Sequence, residues 1–197
     1  MKMLQIPALT ALAVAATLAV STSHATLYQW TAILDGPSEN PANASPGTGF
    51  ASVDWDTVSQ MMTVNVTFSG LLGPTTASHI HAPVLVPGGT AGVATTTPYF
   101  AGFPIGFTSG TYLNTLDMTM ASSYNPSYVT ANGGTVASAE AALLAAMLAG
   151  NSYLNIHTQA FPGGEIRGFL IQVPEPATLA LLAGGLVTLL AWKRRNV

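Results

Sequence analysis

Two alternating segments joined by a tight turn decide the fold: Tyr153-Leu154-Asn155-Ile156-His157-Thr158, the connection Gln159-Ala160-Phe161-Pro162-Gly163-Gly164, and Glu165-Ile166-Arg167-Gly168-Phe169-Leu170. Side chains of a strand alternate between its two faces, so the pattern predicts a β-hairpin with one apolar and one polar face. Pro162 presets φ for the first corner of a turn, and Gly163 can take the positive φ that a type II turn requires next. The apolar face would hold Leu154, Ile156, Ile166 and Leu170, and the polar face Tyr153, Asn155, His157, Glu165 and Arg167.

Charge is distributed unevenly along the 197 residues. Four of the five basic residues lie near the termini, and Arg167 is the only base between residues 26 and 172. That central segment contains seven acids, Asp35, Glu39, Asp54, Asp56, Asp117, Glu140 and Glu165. Binding to phosphate groups needs clustered Lys and Arg, so we expect no nucleic-acid partner and no affinity for anionic lipid.

The chain contains no cysteine, which excludes both a disulfide framework and a thiolate metal site. Stability must therefore come from packing. A domain of about 150 residues buries roughly two-thirds of its unfolded surface, which is sufficient without covalent cross-links.

The first 25 residues have the composition of a secretory signal. Lys2 supplies a basic start, residues 8–20 form an apolar run, and Ser23-His24-Ala25 is a small-x-small cleavage site. The alternative is an N-terminal membrane anchor, although the apolar run is shorter than the roughly 20 residues that a span requires. We expect signal peptidase to remove residues 1–25, His24 included.

The central segment, residues 26–172, is predicted to be a single β domain. Alternating and β-branched stretches predict strands at residues 27–34, 49–55, 60–68, 76–83, 99–107 and 111–120, with loops at 87–97 and 121–134. One helix is expected at residues 137–149, with Thr135 or Ser138 as N-cap, Glu140 in its first turn and Gly150 directly after its end. Many short strands with Gly and Pro turns favour an antiparallel β-sandwich of immunoglobulin or superoxide-dismutase type.

The last segment, residues 173–197, has a different composition. Pro174-Glu175-Pro176 precedes an apolar run at 177–192, and Lys193-Arg194-Arg195 follow directly. Basic residues stay on the cytoplasmic side, so a transmembrane helix here would hold the β domain outside. The run is short for a permanent span, which favours a processed sorting signal over a plain transmembrane anchor.

Several motifs resemble known families. Asn155-Ile156-His157-Thr158 and Phe161-Pro162-Gly163-Gly164-Glu165-Ile166-Arg167-Gly168 resemble the signature of the CHRD domain, a chordin-like module common in bacterial surface proteins. Ala77-Ser78-His79-Ile80-His81 is similar to the second motif of that family, and Glu39-Asn40-Pro41 to its acidic-x-Pro element. The tail resembles the PEP-CTERM signal of bacteria. That resemblance implies processing by exosortase, a membrane-held intermediate, and delivery to the outer surface or exopolysaccharide matrix of a Gram-negative-type bacterium.

Three histidines are the candidate metal ligands. His79 and His81, two residues apart, project from the same face of one strand, and His157 could supply a third nitrogen for copper or zinc. In the hairpin Glu165 could then orient the His157 ring. The alternative is structural: each histidine hydrogen-bonds loop backbone, and Glu165 and Arg167 form an ion pair on the strand face.

Two classes of function follow from these residues. One is a non-catalytic surface module that binds a protein, a glycan or a metal ion. The other is a metalloenzyme or copper-handling protein. The His-x-His strand is similar to copper-zinc superoxide dismutases, but that family needs more histidines and a disulfide. The methionines at 61, 62, 118 and 120 are expected to fill the core rather than bind copper. No residue pattern indicates a hydrolase.

Overall fold

The structure is a computed structural model that describes residues 27–174. Eight strands and three helical segments follow one another along the chain: β1 Leu27–Asp35, β2 Thr48–Asp56, β3 Met61–Ser69, β4 Thr75–His81, β5 Gly110–Asp117, a 3-10 turn Ala121–Ser123, α1 Pro126–Ala131, α2 Val136–Leu148, β6 Tyr153–Thr158, β7 Ile166–Phe169 and β8 Ile171–Gln172. The predicted signal and the predicted transmembrane helix lie outside the described residues. Within 27–174, no helix has the length and apolar character needed to cross a membrane.

The described strands form one curled, half-barrel antiparallel sheet. Its order is β4-β6-β7-β1-β2-β3-β5, and β8 pairs with β1 beside β7. The predicted β content and antiparallel pairing are confirmed. The separation into two face-to-face sheets is not found, because β1 has hydrogen-bonded partners along both of its edges.

A close approach of two strands makes this continuity possible. Gly168 in β7 lies against the backbone of β1, and a Cβ at this position would collide with the carbonyl oxygen of Ile33. Glycine is the residue that allows two backbones to approach so closely. Because Gly168 has no side chain, β7 can approach and pair with β1, and this pairing joins strands β4, β6 and β7 to strands β1, β2, β3 and β5.

The strands β1, β2 and β3 form a meander in which every residue of β2 is paired on both sides. Alternate residues are buried, as expected for a sheet with one face on the core and one in water. The inner face contributes Trp30, Leu34, Val53, Trp55, Met62, Val64, Val66 and Phe68 to the core. Met62 and Met118 are fully buried among these residues, as expected for core methionines, whereas the same prediction is wrong for Met61 and Met120, whose side chains are 40% and 53% exposed.

The helix α2 covers the open side of the curled sheet. Thr135 is its N-cap and forms a reciprocal capping box with Ser138, and Gly150 follows the helix with a φ of 70°. Leu143 and Met147 are fully buried in the core. The indole Nε1 of Trp30 donates a hydrogen bond of 3.0 Å to the Met147 carbonyl, which fixes the end of the helix to β1.

The predicted secondary structure is wrong in two segments. Residues 99–107, expected as a strand, form turns, because Gly102 and Gly106 adopt positive φ and Pro104 lacks a backbone donor. Phe100 and Phe103 of this segment are nevertheless buried in the core, which accounts for its apolar composition. Within 121–134, expected as loop, α1 begins at Pro126 with Asn125 as its N-cap.

The β6–β7 hairpin forms with Asn155 opposite Arg167 and Ile156 opposite Ile166. Pro162 and Gly163 occupy the centre of a turn that is closed by a hydrogen bond from Gly164 N to Phe161 O. The predicted turn type is wrong, because the left-handed φ of 129° falls on Gly164. Leu154, Ile156, Ile166 and Leu170 all face the core, as expected.

Candidate metal centre

The three histidines of the described chain come together because β4 and β6 are neighbours. Their antiparallel register places Ala77 opposite His157, His79 opposite Asn155, and His81 opposite Tyr153. Residues two apart on a strand share a face, so His79 and His81 lie on the same side of the sheet as Asn155 and His157. That side faces the loops that follow β4.

The imidazole rings are in contact. His157 Nε2 lies 3.0 Å from His79 Nε2, and one ring nitrogen from each of the three histidines lies within 4.8 Å of the other two. The centroid of the His79 ring lies 4.6 Å from that of the His81 ring and 4.9 Å from that of the His157 ring. Nitrogen ligands of a tetrahedral zinc ion, each at about 2.0–2.1 Å from the metal, lie about 3.4 Å apart, so small side-chain movements would bring the rings to coordination distance.

The opposite ring nitrogen of each histidine contacts a backbone carbonyl. His79 Nδ1 lies 3.2 Å from Pro98 O, His81 Nδ1 lies 2.7 Å from Ala91 O, and His157 Nδ1 lies 2.8 Å from Pro162 O. A carbonyl oxygen can only accept a hydrogen bond, so each ring carries a proton on Nδ1. In a neutral imidazole the Nε2 atom then has a free lone pair. A hydrogen bond from one ring nitrogen to a backbone carbonyl is the contact that orients metal-binding histidines.

Burial keeps the imidazoles neutral. Desolvation, followed by repulsion from the neighbouring rings, lowers the pKa of His79 to about 3. Desolvation likewise lowers the pKa of His81 to about 4, and it lowers the pKa of His157. The exposed fraction is only 5% for His79 and 8% for His81. Neutral imidazole is the form that binds metal ions.

The centre contains more hydrogen-bond acceptors than donors. Within residues 27–174, His81 Nε2 is buried and makes no hydrogen bond of regular geometry, although the Asn155 side chain acts on the ring as a hydrogen-bond partner and raises its pKa against the larger effect of burial. Asn155 Oδ1 lies 3.1 Å from His157 Nε2, so this amide oxygen also faces a lone pair. Converging acceptors repel one another unless a proton or a cation lies between them.

Arg167 lies on β7 opposite Asn155 and binds loop backbone rather than the histidines. It is 2% exposed, and its guanidinium donates to the carbonyl oxygens of Ser38, Gly89 and Gly88. The guanidinium also stacks on the Tyr153 ring at 4.7 Å, and Tyr153 in turn stacks on His81 at 4.6 Å. Arg167 therefore ties two loops to the hairpin.

The predicted partner of Arg167 is wrong. Its carboxylate neighbour is Glu39, at 3.9 Å from Nε, rather than Glu165. Burial raises the pKa of Glu39 to about 7, although the positive charge of Arg167 acts in the opposite direction. Glu39 was not among the residues predicted for the site, although the Glu39-Asn40-Pro41 element was a signal that could have identified it.

The predicted role of Glu165 as the orienting partner of His157 is also wrong. Glu165 accepts hydrogen bonds from the hydroxyls of Ser45 and Thr158, both 2.6 Å long, and from the backbone of Leu72 and Gly73. Burial alone would raise the pKa of this carboxyl, but the four hydrogen bonds outweigh it and lower the pKa. Glu165 thus holds three loops together on the other side of β6, and Pro162 O orients His157 instead.

The sorting residues are largely beyond the described part of the chain. Pro174 is its last residue, and Glu175, Pro176, Lys193, Arg194 and Arg195 lie outside it. The family model of the PEP-CTERM protein-sorting motif matches residues 172–195.

The family model of the CHRD domain matches residues 30–170, which includes every residue of the candidate metal centre. No curated protein and no solved structure shows significant similarity to the chain. With most of its length matched by that one model, the chain belongs to the CHRD domain family and ends in a PEP-CTERM protein-sorting motif.

Proposed function

We propose that this protein is a non-catalytic surface module whose CHRD domain binds one copper or zinc ion through the Nε2 atoms of His79, His81 and His157. The sorting motif implies export through the membrane to the cell surface and processing by exosortase. Export would place the metal centre outside the cell. The location of the protein in a polysaccharide matrix and its binding of a protein or glycan ligand are further parts of the proposal.

One observation carries the proposal. The Nδ1 atoms of all three histidines face backbone carbonyls, the Nε2 atoms of His79 and His157 lie 3.0 Å apart, and one ring nitrogen of His81 lies within 4.8 Å of a nitrogen of each of the other two rings. A structural role would be complete with the three carbonyl hydrogen bonds. It would not require the Nε2 atoms of His79 and His157 to lie 3.0 Å apart, nor leave the buried His81 Nε2 without a hydrogen bond of regular geometry among the described residues.

The donor set favours copper or zinc. Imidazole nitrogen is a ligand of intermediate softness that suits zinc, copper, iron and nickel, whereas calcium and magnesium prefer oxygen. Of these metals, copper and zinc commonly bind three histidines in a compact site. The centre offers neither the thiolate of an electron-transfer copper site nor the carboxylate of a facial-triad iron site.

Two features favour a non-catalytic role. Two of the three rings are enclosed, because His79 and His81 are almost fully buried, while His157 is partly exposed. Of the two nearby carboxyls, Glu165 is bound by Ser45 and Thr158, whereas Glu39 lies 3.9 Å from Arg167 and its Oε1 has no hydrogen-bond partner within residues 27–174. A general base would have to reach a metal-bound water, and Glu165 is committed to other partners, which leaves Glu39 as the carboxyl that a metalloenzyme would use. The metalloenzyme alternative is therefore the second candidate.

The proposal is tested by the metal content of the purified exported protein after exposure to copper and to zinc. We expect one ion per chain at micromolar metal, and its loss in His79→Ala and in His157→Ala. Asn65→Ala, on the exposed face of β3, is the matched control and should retain the ion. Absence of bound metal in the folded wild-type protein would refute the metal-binding function.

A further inference from the structure

Asn155 occupies the middle of the candidate metal centre. It lies on β6 between His79 of β4 and Arg167 of β7, directly opposite both residues in the two registers. Its exposed fraction is 2%. A buried primary amide must place both its oxygen and its NH2 group against partners, because each group is costly to bury without one.

The partners of Asn155 determine which way its amide points. Glu39 lies 3.9 Å from Arg167, which stands directly opposite Asn155, and the Asn155 amide lowers the pKa of the Glu39 carboxyl as a hydrogen-bond donor does. The NH2 group is therefore directed towards Glu39. The opposite end, Oδ1, lies 3.1 Å from His157 Nε2 and faces the converging imidazoles.

This orientation directs a fourth lone-pair donor into the space shared by the three histidines. His157 Nε2 is in contact with both His79 Nε2, at 3.0 Å, and Asn155 Oδ1, at 3.1 Å. With the Nδ1 proton of His157 directed at Pro162 O, neither contact is a conventional hydrogen bond. Both distances are close to the separation of neighbouring ligands around a tetrahedral ion, about 3.4 Å for bonds of 2.0–2.1 Å.

We propose that Asn155 Oδ1 is the fourth ligand of the metal ion and that Glu39 is the positioning residue that directs it there. This inference rests on the proposed binding of metal by His79, His81 and His157. Three imidazole nitrogens and one amide oxygen complete a four-coordinate site built from neutral donors. A site with four protein ligands has no open position, and open positions are what catalytic zinc sites keep for water or substrate.

Arg167 supports the same arrangement. Its guanidinium lies 3.9 Å from Glu39 Oε2, and its other contacts are backbone carbonyls of the loops around residues 38 and 88. The arginine therefore holds the Glu39 carboxylate beside Asn155. The positioning chain runs from Arg167 through Glu39 to the amide of Asn155.

Binding of an added ligand to the metal ion distinguishes a site with four protein ligands from a site with a free coordination position. We would load the exported protein with Co²⁺, whose visible spectrum reports coordination, and titrate it with azide. The wild-type spectrum should be unchanged by azide, whereas Asn155→Ala should bind azide and change its spectrum. Asn155→Asp retains an oxygen donor and should stay unresponsive to azide, which also covers the case in which the alanine variant does not fold.

The outcomes distinguish the two proposals. A wild-type cobalt protein that binds azide as well as Asn155→Ala does would show that the fourth position is open and would overturn the role of Asn155. Failure of the folded wild-type protein to take up cobalt, copper or zinc would instead overturn the proposed metal binding itself.

Glu39→Gln tests the positioning step. Glutamine can donate as well as accept, so it no longer specifies which end of the Asn155 amide faces the metal. We expect metal affinity to fall by roughly 10- to 100-fold, the range found when an outer-shell partner of a ligand is removed. Asn65→Ala is again the control. Unchanged affinity in Glu39→Gln, together with an unchanged azide response, would contradict the positioning role.

Discussion

Asn155 and Arg167 stand directly opposite one another on β6 and β7, and Glu39 contacts both side chains from a loop that is distant in sequence. The hairpin thereby connects a structural ion pair to the candidate metal centre. Most of the polar face of the hairpin is buried, and the His157 and Arg167 side chains contact backbone carbonyls of the surrounding loops.

Removing the buried guanidinium should be strongly destabilising. Arg167→Ala leaves three carbonyl oxygens without their donor and Glu39 without its counter-charge. Truncating one partner of a buried ion pair costs about 3–5 kcal/mol, and we expect a loss of that size in the free energy of unfolding. Urea denaturation measures it. A loss below about 1 kcal/mol, the usual range for an exposed ion pair, would show that Arg167 is not a central contact.

Glu165→Gln should weaken the fold without affecting the metal. The substitution exchanges a carboxylate that accepts four hydrogen bonds for a neutral amide, and loss of charged hydrogen bonds of this kind costs about 1–3 kcal/mol. The metal stoichiometry and affinity should equal those of the wild type. A loss of bound metal in folded Glu165→Gln would indicate instead that Glu165 orients His157.

Gly168→Ala should disrupt the junction of the sheet. Its Cβ would meet the Ile33 carbonyl oxygen, and overpacking of this kind costs about 1–3 kcal/mol or more. Gly163→Ala is the matched control, because no atom lies within 4 Å of the added Cβ and Gly163 does not adopt positive φ. Thermal unfolding of the two variants measures the difference. Equal melting temperatures would mean that β1 and β7 can separate freely.

Acid should destabilise the metal-free protein through its histidines. Because the folded-state pKa of His79 is about 3 and that of His81 about 4, both below the usual 6.5, the unfolded chain binds more protons than the folded chain between those values. Stability from these groups is therefore complete above pH 6.5 and declines as the pH falls towards 4. The slope is about 1.4 kcal/mol per pH unit for each differential proton.

Two carboxyls also titrate in acid, so their contributions to stability must be separated from those of the histidines. Glu165, with its lowered pKa, acts in the same direction as the histidines. Glu39 acts in the opposite direction, because its folded-state pKa of about 7 lies above the usual 4.5 and protonation stabilises the fold. We would therefore compare Glu39→Gln with Glu39→Gln/His79→Gln. The double variant should show the shallower decline below pH 6.5; identical slopes would contradict the depressed pKa of His79.

The parts that local patterns determine could be predicted from the sequence. Alternation in β6 and β7 identified the hairpin and its apolar face, and the spacing of two placed His79 and His81 on one side of β4. Thr135 and Gly150 marked both ends of α2. In each case the deciding residues lie within a few positions of one another along the chain.

The parts that depend on loops could not be predicted. Glu165 precedes the first residue of β7, so strand alternation did not determine its direction, and its partners Ser45 and Leu72 are distant in sequence. Likewise the pairing of Glu39 with Arg167 depends on the path of a loop that no periodicity describes. The single curled sheet was missed because alternation shows which face of a strand is buried, not which strands it pairs with.

Anomalous scattering from crystals of the exported protein, grown with copper or zinc and measured at the absorption edge of that metal, tests metal binding by the CHRD domain most directly. We predict one strong anomalous peak about 2.0–2.1 Å from the Nε2 atoms of His79, His81 and His157. Crystals that contain the metal but show no peak among these three rings, or show it only at surface carboxylates, would contradict the account.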